Sequence, residues 1–535
     1  MPFSALLSPL PAAALAAALA AALAIAPTGA LAQARPTAGG TLNFVVTPEP
    51  PVLINLATSA VNVLKVSSKV TEGLLSYDFK LNPQAQLATS WEISADGKRY
   101  TFHLRPNVKW HDGKPFTSAD VAFSLNLLRR LHPRGKSTFA NLAAVRTPSP
   151  LTAVLELTQP APYLIKAFAG SESPIVPAHI YANGDPLANP NNRAPIGTGP
   201  FKFAKWVRGS HIEYVRNPDY WDKPKPYLDK IVVKLIPDAA GRAIAFENGS
   251  VDLGGDTPVP LGDLARLKDN PKLGIETNGY QFSAGPARIE FNLDHPQLAK
   301  LPVRQAIAHA INRDVIKSAV FYGYAEAISS PILPGSPYHL AAPSPYPFDV
   351  KRANALLDQA GLAKGADGTR FALVLDPLPI GDAPTRTANY VKSALARIGI
   401  AVTIRAQDLP AYLKRVYTDR DFAFVVNGMS NLFDPTVGVQ RLYWSQGFRR
   451  GVPFTNASHY SNAEVDRLFD QAAVEPDPAR RIAQFARIQQ IVATELPDIN
   501  TVGPKYITLY NRRVHDHSTT PNGLDGNFAG VWLSR

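Results

Sequence analysis

Few residue patterns in this chain could do chemistry, and each fails on spacing or context. Gly135-Lys136-Ser137 imitates the end of a phosphate-binding loop, which would cradle phosphates on main-chain N–H groups. The glycine such a loop needs five residues earlier is Arg130, so the stretch reads as a surface loop. His515 and His517 have the i,i+2 spacing of two metal ligands on one face of a strand. Two exposed histidines near a C-terminus are the plainer reading. His111-Asp112-Gly113 lies between a strand and a capped helix and reads as turn chemistry. No G-x-S-x-G, H-E-x-x-H, G-x-G-x-x-G or EF-hand spacing occurs. Cysteine is absent, which excludes thiol catalysis, thiolate zinc sites, disulfides and lipid attachment through cysteine. The expectation is a protein without catalytic residues, metal or cofactor. A periplasmic hydrolase, the enzymatic alternative, would need a nucleophile–base pair or a metal constellation.

The elements that would position a binding site are clearer. Thr41-Leu42-Asn43-Phe44-Val45-Val46 alternates as a strand, and Trp91-Glu92-Ile93 pairs with Tyr100–Leu104 across the turn signal Asp96-Gly97. Thr117-Ser118-Ala119-Asp120 is a capping box opening a helix through Val121, Leu125 and Leu128. Residues 195–236 read as strands. Pro302 starts a helix with a stripe at Val303, Ile307, Ile311, Val315 and Ala319. Helices near 350–360 and 385–398 end at Gly361 and Gly399, and a strand, 400–404, follows. Ser461-Asn462-Ala463-Glu464 caps another helix, and Pro478 opens a long one with Ile482, Phe485 and Val492 inside. Helix–strand alternation here argues an α/β fold.

Composition bounds the class. Of 535 residues 45% are hydrophobic and 18% charged, which is globular rather than disordered, with length for about three average domains. The net charge of +12 is diffuse, with pairs such as Arg449-Arg450 but no basic run, so nucleic acid is not an expected partner. Residues 9–26 are nearly all Ala, Leu and Ile, and A-x-A sites follow at 30–32 and 32–34. This pattern predicts a secretory signal peptide over 1–34, although no Lys or Arg precedes Arg35. An exported binder with no cysteine to lipidate needs an outer membrane to retain it, so the expected location is the Gram-negative periplasm.

Three stretches together carry a family resemblance. Trp91-Glu92-Ile93-Ser94-Ala95-Asp96-Gly97 through Tyr100-Thr101-Phe102-His103-Leu104-Arg105 continues as Val108-Lys109-Trp110-His111-Asp112-Gly113-Lys114-Pro115-Phe116-Thr117-Ser118-Ala119-Asp120-Val121. Next come Pro195-Ile196-Gly197-Thr198-Gly199-Pro200-Phe201 and Arg216-Asn217-Pro218-Asp219-Tyr220-Trp221, then Val303-Arg304-Gln305-Ala306-Ile307-Ala308-His309-Ala310-Ile311-Asn312-Arg313. In order and spacing they resemble the family 5 solute-binding proteins, the dipeptide, oligopeptide and nickel-binding components of ABC importers. The resemblance implies an α/β, two-lobed periplasmic-binding-protein fold (type II, cluster C) with an extra inserted domain. One lobe would comprise 35–79, 199–282 and 504–535, the inserted domain 80–198, and the other lobe 283–503. It implies a monomer that closes on a small-molecule or short-peptide ligand and hands it to inner-membrane permease subunits.

In peptide-binding members an aspartate three residues before an acidic-Pro pair holds the ligand's α-ammonium. Asp434-Pro435 matches the pair, so the amine position falls on Asn431, and the usual aromatic before it is Gly428. Asp434 is the anchor if the register lies a few residues along. Asn427, Met429, Tyr443 and Trp444 on the same segment, with Glu49 and Phe139 elsewhere, complete the candidate ligand-binding residues. An amide in place of a carboxylate favours a non-peptide polar solute, such as an oligosaccharide, opine or modified amino acid, as the alternative to a peptide. Nickel fits poorly, with eleven dispersed histidines and one mature methionine, Met429.

Overall fold

Strand Thr41–Val45 buries Leu42 and Phe44 completely and runs parallel to two others, Lys230–Lys234 and Leu253–Gly254. It is the centre of a seven-stranded sheet in the order Leu273–Glu276, Thr508–Asn511, Leu253–Gly254, Thr41–Val45, Lys230–Lys234, His211–Arg216, Phe201–Val207. The computed structural model describes Met1 and residues 35–534, so the leader expected at 1–34 lies, Met1 apart, outside the described residues. Residues from Ala38 onward form one compact unit, to which every element below belongs. No helix among the described residues is long and apolar enough to cross a membrane.

A second sheet has six strands, Ala325–Ala327, Asp498–Pro504, Ala287–Phe291, Phe424–Gly428, Phe371–Pro377 and Ile400–Ile404. Phe371–Pro377 pairs in parallel with both Ile400–Ile404 and Phe424–Gly428, as helix–strand alternation requires. Helices Leu301–Ala310, Val350–Gln359 and Ala383–Ala396 bury their apolar stripes in the core of this sheet. Gly361 and Gly399, past two of these helices, take φ of +75° and +80°, which side chains resist. The third sheet is antiparallel, Ala88–Ile93, Arg99–Leu104, Thr152–Leu157 and Leu142–Ser149, covered by helix Ser118–Leu131. Thr117 and Asp120 form the expected capping box of that helix.

The chain passes between the two large sheets twice, through residues 277–286 and 505–507. Tyr280 ties the crossings together. Its Oη lies 2.7 Å from Thr508 Oγ1 and accepts from the Asp256 N–H at 3.1 Å, and its ring is 5.5 Å from that of Tyr506.

Four sequence expectations need correction. The helix opened by Pro302 stops at Ala310, because Asn312 is extended and accepts from the Asp314 N–H as a new cap. The stripe therefore shifts register: Val315 and Ala319 are exposed, and Ile316 and Val320 are buried. Ile482 faces solvent, unlike Phe485 and Val492. Gly135 begins a helical turn, Gly135–Thr138, rather than a loop; Lys136 and Ser137 are exposed, but Gly135 and Thr138 are buried, and a Cβ on Gly135 would overlap the Leu128 carbonyl. His515 and His517 are not exposed. His515 stacks on Trp532 and His517 packs at a tilt against Tyr510, with ring centres 4.0 and 4.3 Å apart.

Candidate ligand-binding site

In α/β sheets a ligand is met by the loops leaving the carboxyl ends of parallel strands. In the six-stranded sheet the loop after Phe424–Gly428 leaves such an end, and it lies against the first crossing. Met429 N–H donates to Pro286 O at 3.3 Å and Asn431 N–H to Ala284 O at 2.9 Å. Gly285 is required there, since a Cβ would overlap the Met429 carbonyl.

Asn431 is 8% exposed, and both ends of its carboxamide are engaged. Nδ2–H donates to Pro331 O at 2.7 Å, and Oδ1 accepts from Leu333 N–H at 2.8 Å. Asp434 is buried and caps the turn Pro435–Gly438. Its oxygens take Arg481 in a two-pronged pair at 2.6 and 2.8 Å. Burial works against the charge on Asp434, yet Arg481 holds its carboxyl below the usual range. Arg481 also donates to Thr436 Oγ1 at 2.7 Å and to the Tyr338 hydroxyl.

Asn427 and Tyr443 meet in a second buried cluster. Arg288 donates to Asn427 Oδ1 at 3.0 Å and, at 2.7 Å each, to Glu290 and Asp498. Asn427 Nδ2–H donates to Glu290 at 2.8 Å, and Tyr443 Oη–H to Asp498 at 2.7 Å. Burial pushes the Asp498 carboxyl up, while Arg288 and the Tyr443 hydroxyl oppose that. Gly428 ends its strand, with room for a Cβ at ordinary contact. Met429 is buried and Trp444 half-buried against the cluster of Leu442, Tyr443 and Phe485. The remaining two candidates lie elsewhere. Glu49 accepts from Trp206 Nε1–H and Gly209 N–H, both at 3.0 Å, and Phe139 is core beneath the four-stranded sheet.

Sequence reasoning missed the cations. Arg481 shares a helix face with Phe485 and Val492, and a charge on an apolar stripe is the pattern of a buried pair. Lys166 carried no such signal. Its ammonium lies 5.2 Å from the centre of the Tyr338 ring. The core of the four-stranded sheet reaches the same place, because Phe433, Val437 and Phe282 belong to it, with Phe282 rings 5.7 Å from Tyr77 and 6.3 Å from Phe433. No group of three or more His, Cys, Asp or Glu side chains suited to a metal occurs among the described residues.

Two α/β lobes joined by two crossings, with a third antiparallel domain reaching across, define a two-lobed solute-binding protein. The chain belongs to the bacterial extracellular solute-binding proteins, family 5, whose middle-region model matches residues 82–449. It is 31% identical to a Brucella ovis protein named as an ABC transporter peptide-binding protein, over 80% of both chains. It is 28% identical to di/tripeptide-binding protein 1 of Pseudomonas aeruginosa, over 82% of this chain and 84% of that one. Among solved structures it is similar to the periplasmic binding protein AgaA of A. tumefaciens R10 in complex with agropinic acid. There the TM-score is 0.76 and the identity 28%, over 93% of this chain and 99% of that one.

Proposed function

We propose that the protein captures a peptide or peptide-like solute in the periplasm, between two closing lobes, and delivers it to the permease subunits of an ABC importer. It acts as a monomer, without catalysis and without nucleic acid. The lobes are 35–79 with 199–282 and 504–535, and 283–503, with 80–198 as the inserted domain. The observation that carries the reading is the placement of the 429–437 segment. It leaves the carboxyl end of a parallel strand, rests on the first crossing, and meets the inserted domain through Phe433 and Val437. A solute bound there touches both lobes, so it favours closure. Relatives named for peptide binding support a peptide.

A second reading, an opine or another polar solute, is favoured by the engagement of Asn431 and Asp434 within their own lobe, which leaves neither free for an α-ammonium. The agropinic-acid complex of the related structure supports it. A thermal-shift screen over di- and tripeptides, opines and sugars tests both. Ligand at 100 times its Kd adds about 2.7 kcal/mol to stability, a clear shift in Tm. Peptide hits support the first reading and opine hits the second. Turnover of a chromogenic ester with no shift from any solute would overturn both.

A further inference from the structure

The charges where the inserted domain meets the second lobe do not balance. Four cations come to this contact, Arg134 and Lys166 from the inserted domain and Arg441 and Arg481 from the second lobe. Two carboxylates answer them. Glu172 takes Arg134 at 3.0 Å from Nε and 2.7 Å from Nη2, and Asp434 takes Arg481.

Lys166 and Arg441 are left without a countercharge. The half-buried Lys166 ammonium makes no hydrogen bond or ion pair among the described residues and faces the Tyr338 ring across the contact. Arg441 donates to three main-chain carbonyls, Gly438 at 3.1 Å, Phe454 at 2.6 Å and Ser430 at 3.4 Å. Those are dipoles, and a guanidinium has five donors. Burial pushes Arg441 down to about 10, with the guanidinium groups of Arg134 and Arg288 adding to the effect and Tyr417 opposing it. Arg288 is itself paired with Glu290 and Asp498 on the sheet behind. Burial lowers Lys166 too, with Arg481 adding to the effect and Asp434 opposing it.

Uncompensated charge in a closing contact is costly, and an anion supplied from outside removes the cost. Lys and Arg are the side chains suited to carboxylates, the first as a point charge and the second as a fork. We infer that the captured solute carries two anionic groups, carboxylates in a peptide-like ligand, with Lys166 taking one and Arg441 the other. The inference rests on the proposed function for where the solute sits, and not for its being a peptide.

Calorimetry on the mature protein at low salt, with the dipeptides Glu-Glu, Gln-Gln and Lys-Lys and the non-peptide dianion glutarate, tests it. Glu-Glu should bind about tenfold or more tighter than Gln-Gln, the effect of one charge-assisted contact, and Lys-Lys most weakly. Lys166→Gln should weaken Glu-Glu by about tenfold and Gln-Gln by less, because the single carboxylate of Gln-Gln can still pair with Arg441. Arg441→Gln should do the same, but it also frees three carbonyls, so the unpartnered Lys166 gives the cleaner variant. Glutarate binding without dipeptide binding upholds the charge inference and removes the peptide reading. Gln-Gln or Lys-Lys binding as tightly as Glu-Glu overturns the inference and keeps the peptide reading. No binding by either acidic probe overturns it as well.

Discussion

At position 431 an amide stands where the resemblance implies a carboxylate for a ligand amine, and the structure gives the amide its own purpose. Its donor faces the Pro331 carbonyl and its acceptor faces the Leu333 N–H, so the side chain pins residues 331–333 beside the loop that leaves the sheet. An aspartate cannot donate, and its carboxylate would sit against the Pro331 oxygen. Asn431→Asp should therefore destabilise the fold by about 1–3 kcal/mol or more, the cost of a buried carbonyl left facing an acceptor. Urea unfolding should show a lower midpoint with the slope unchanged. An unchanged midpoint would mean that the side chain is free and available as a cleft anchor. The sequence marks position 431 through Asp434-Pro435 nearby, but its partners lie about a hundred residues upstream, where no spacing rule reaches them. A separation of 47 residues likewise hides the pairing of Asp434 with Arg481.

Among the elements, the motifs legible as turns turn out to be one joint. Gly197 and Gly199 lie against the Val70 carbonyl, where a Cβ at either would overlap it, and Gly199 N–H donates to that oxygen at 2.8 Å. His111 Nε2 lies 2.9 Å from Gly199 O, and Asn217 Nδ2–H donates to the same oxygen at 3.0 Å. Thr198, Tyr220 and Trp221 donate to the buried Glu72 at 3.0, 2.8 and 3.0 Å, and Gln86 and Asn527 add bonds at 3.2 Å each. Three separate sequence motifs thus fasten the inserted domain to its lobe. Their turn chemistry was readable because it is local. Their convergence on Glu72 was not, since nothing near Glu72 announces five donors. Gly197→Ala should force the Val70 main chain aside and cost more than the about 1–3 kcal/mol typical of overpacking, because backbone yields less than a side chain. Loss of soluble protein, or a sharply lower Tm with the far-ultraviolet spectrum retained, is the expected result. A variant as stable as the parent would show that the close approach relaxes freely. The helix opened by Pro302 shows the opposite limit. Its apolar spacing continued past Ala310, but Asn312 was a cap, and capping overrode periodicity.

Across the whole molecule the fold class and the two strands crossing between lobes followed from the resemblance, but the sheet pairings on either side, such as Thr41–Val45 with Lys230–Lys234, did not. Nor did the buried charge. The diffuse excess of +12 concealed both the unmatched cations at the closing contact and a set of neutral histidines inside. His132 is 6% exposed, and burial together with Arg134 pushes it down to about 3, against an opposing main-chain hydrogen bond to Thr58. Burial pushes His111 and His517 down to about 4. In the unfolded chain a histidine titrates near 6.5. As pH falls below that value the unfolded state binds protons that the folded state refuses. The contribution of these histidines to stability is therefore complete above about pH 6.5 and is lost on acidification, down to about pH 4 for His111 and His517 and about 3 for His132. Each histidine inside its window adds a slope of about 1.4 kcal/mol per pH unit. Glu72 and Asp498, pushed up by burial, act in the opposite sense, so the wild-type profile alone mixes the two effects. Comparison with His132→Gln separates them. Urea unfolding at intervals from pH 7 to 4 should give the variant a slope shallower by one proton, with its stability gaining on the wild type as pH falls. Parallel profiles would mean that His132 protonates in the folded state near its ordinary pKa, and the buried neutral imidazole would be wrong.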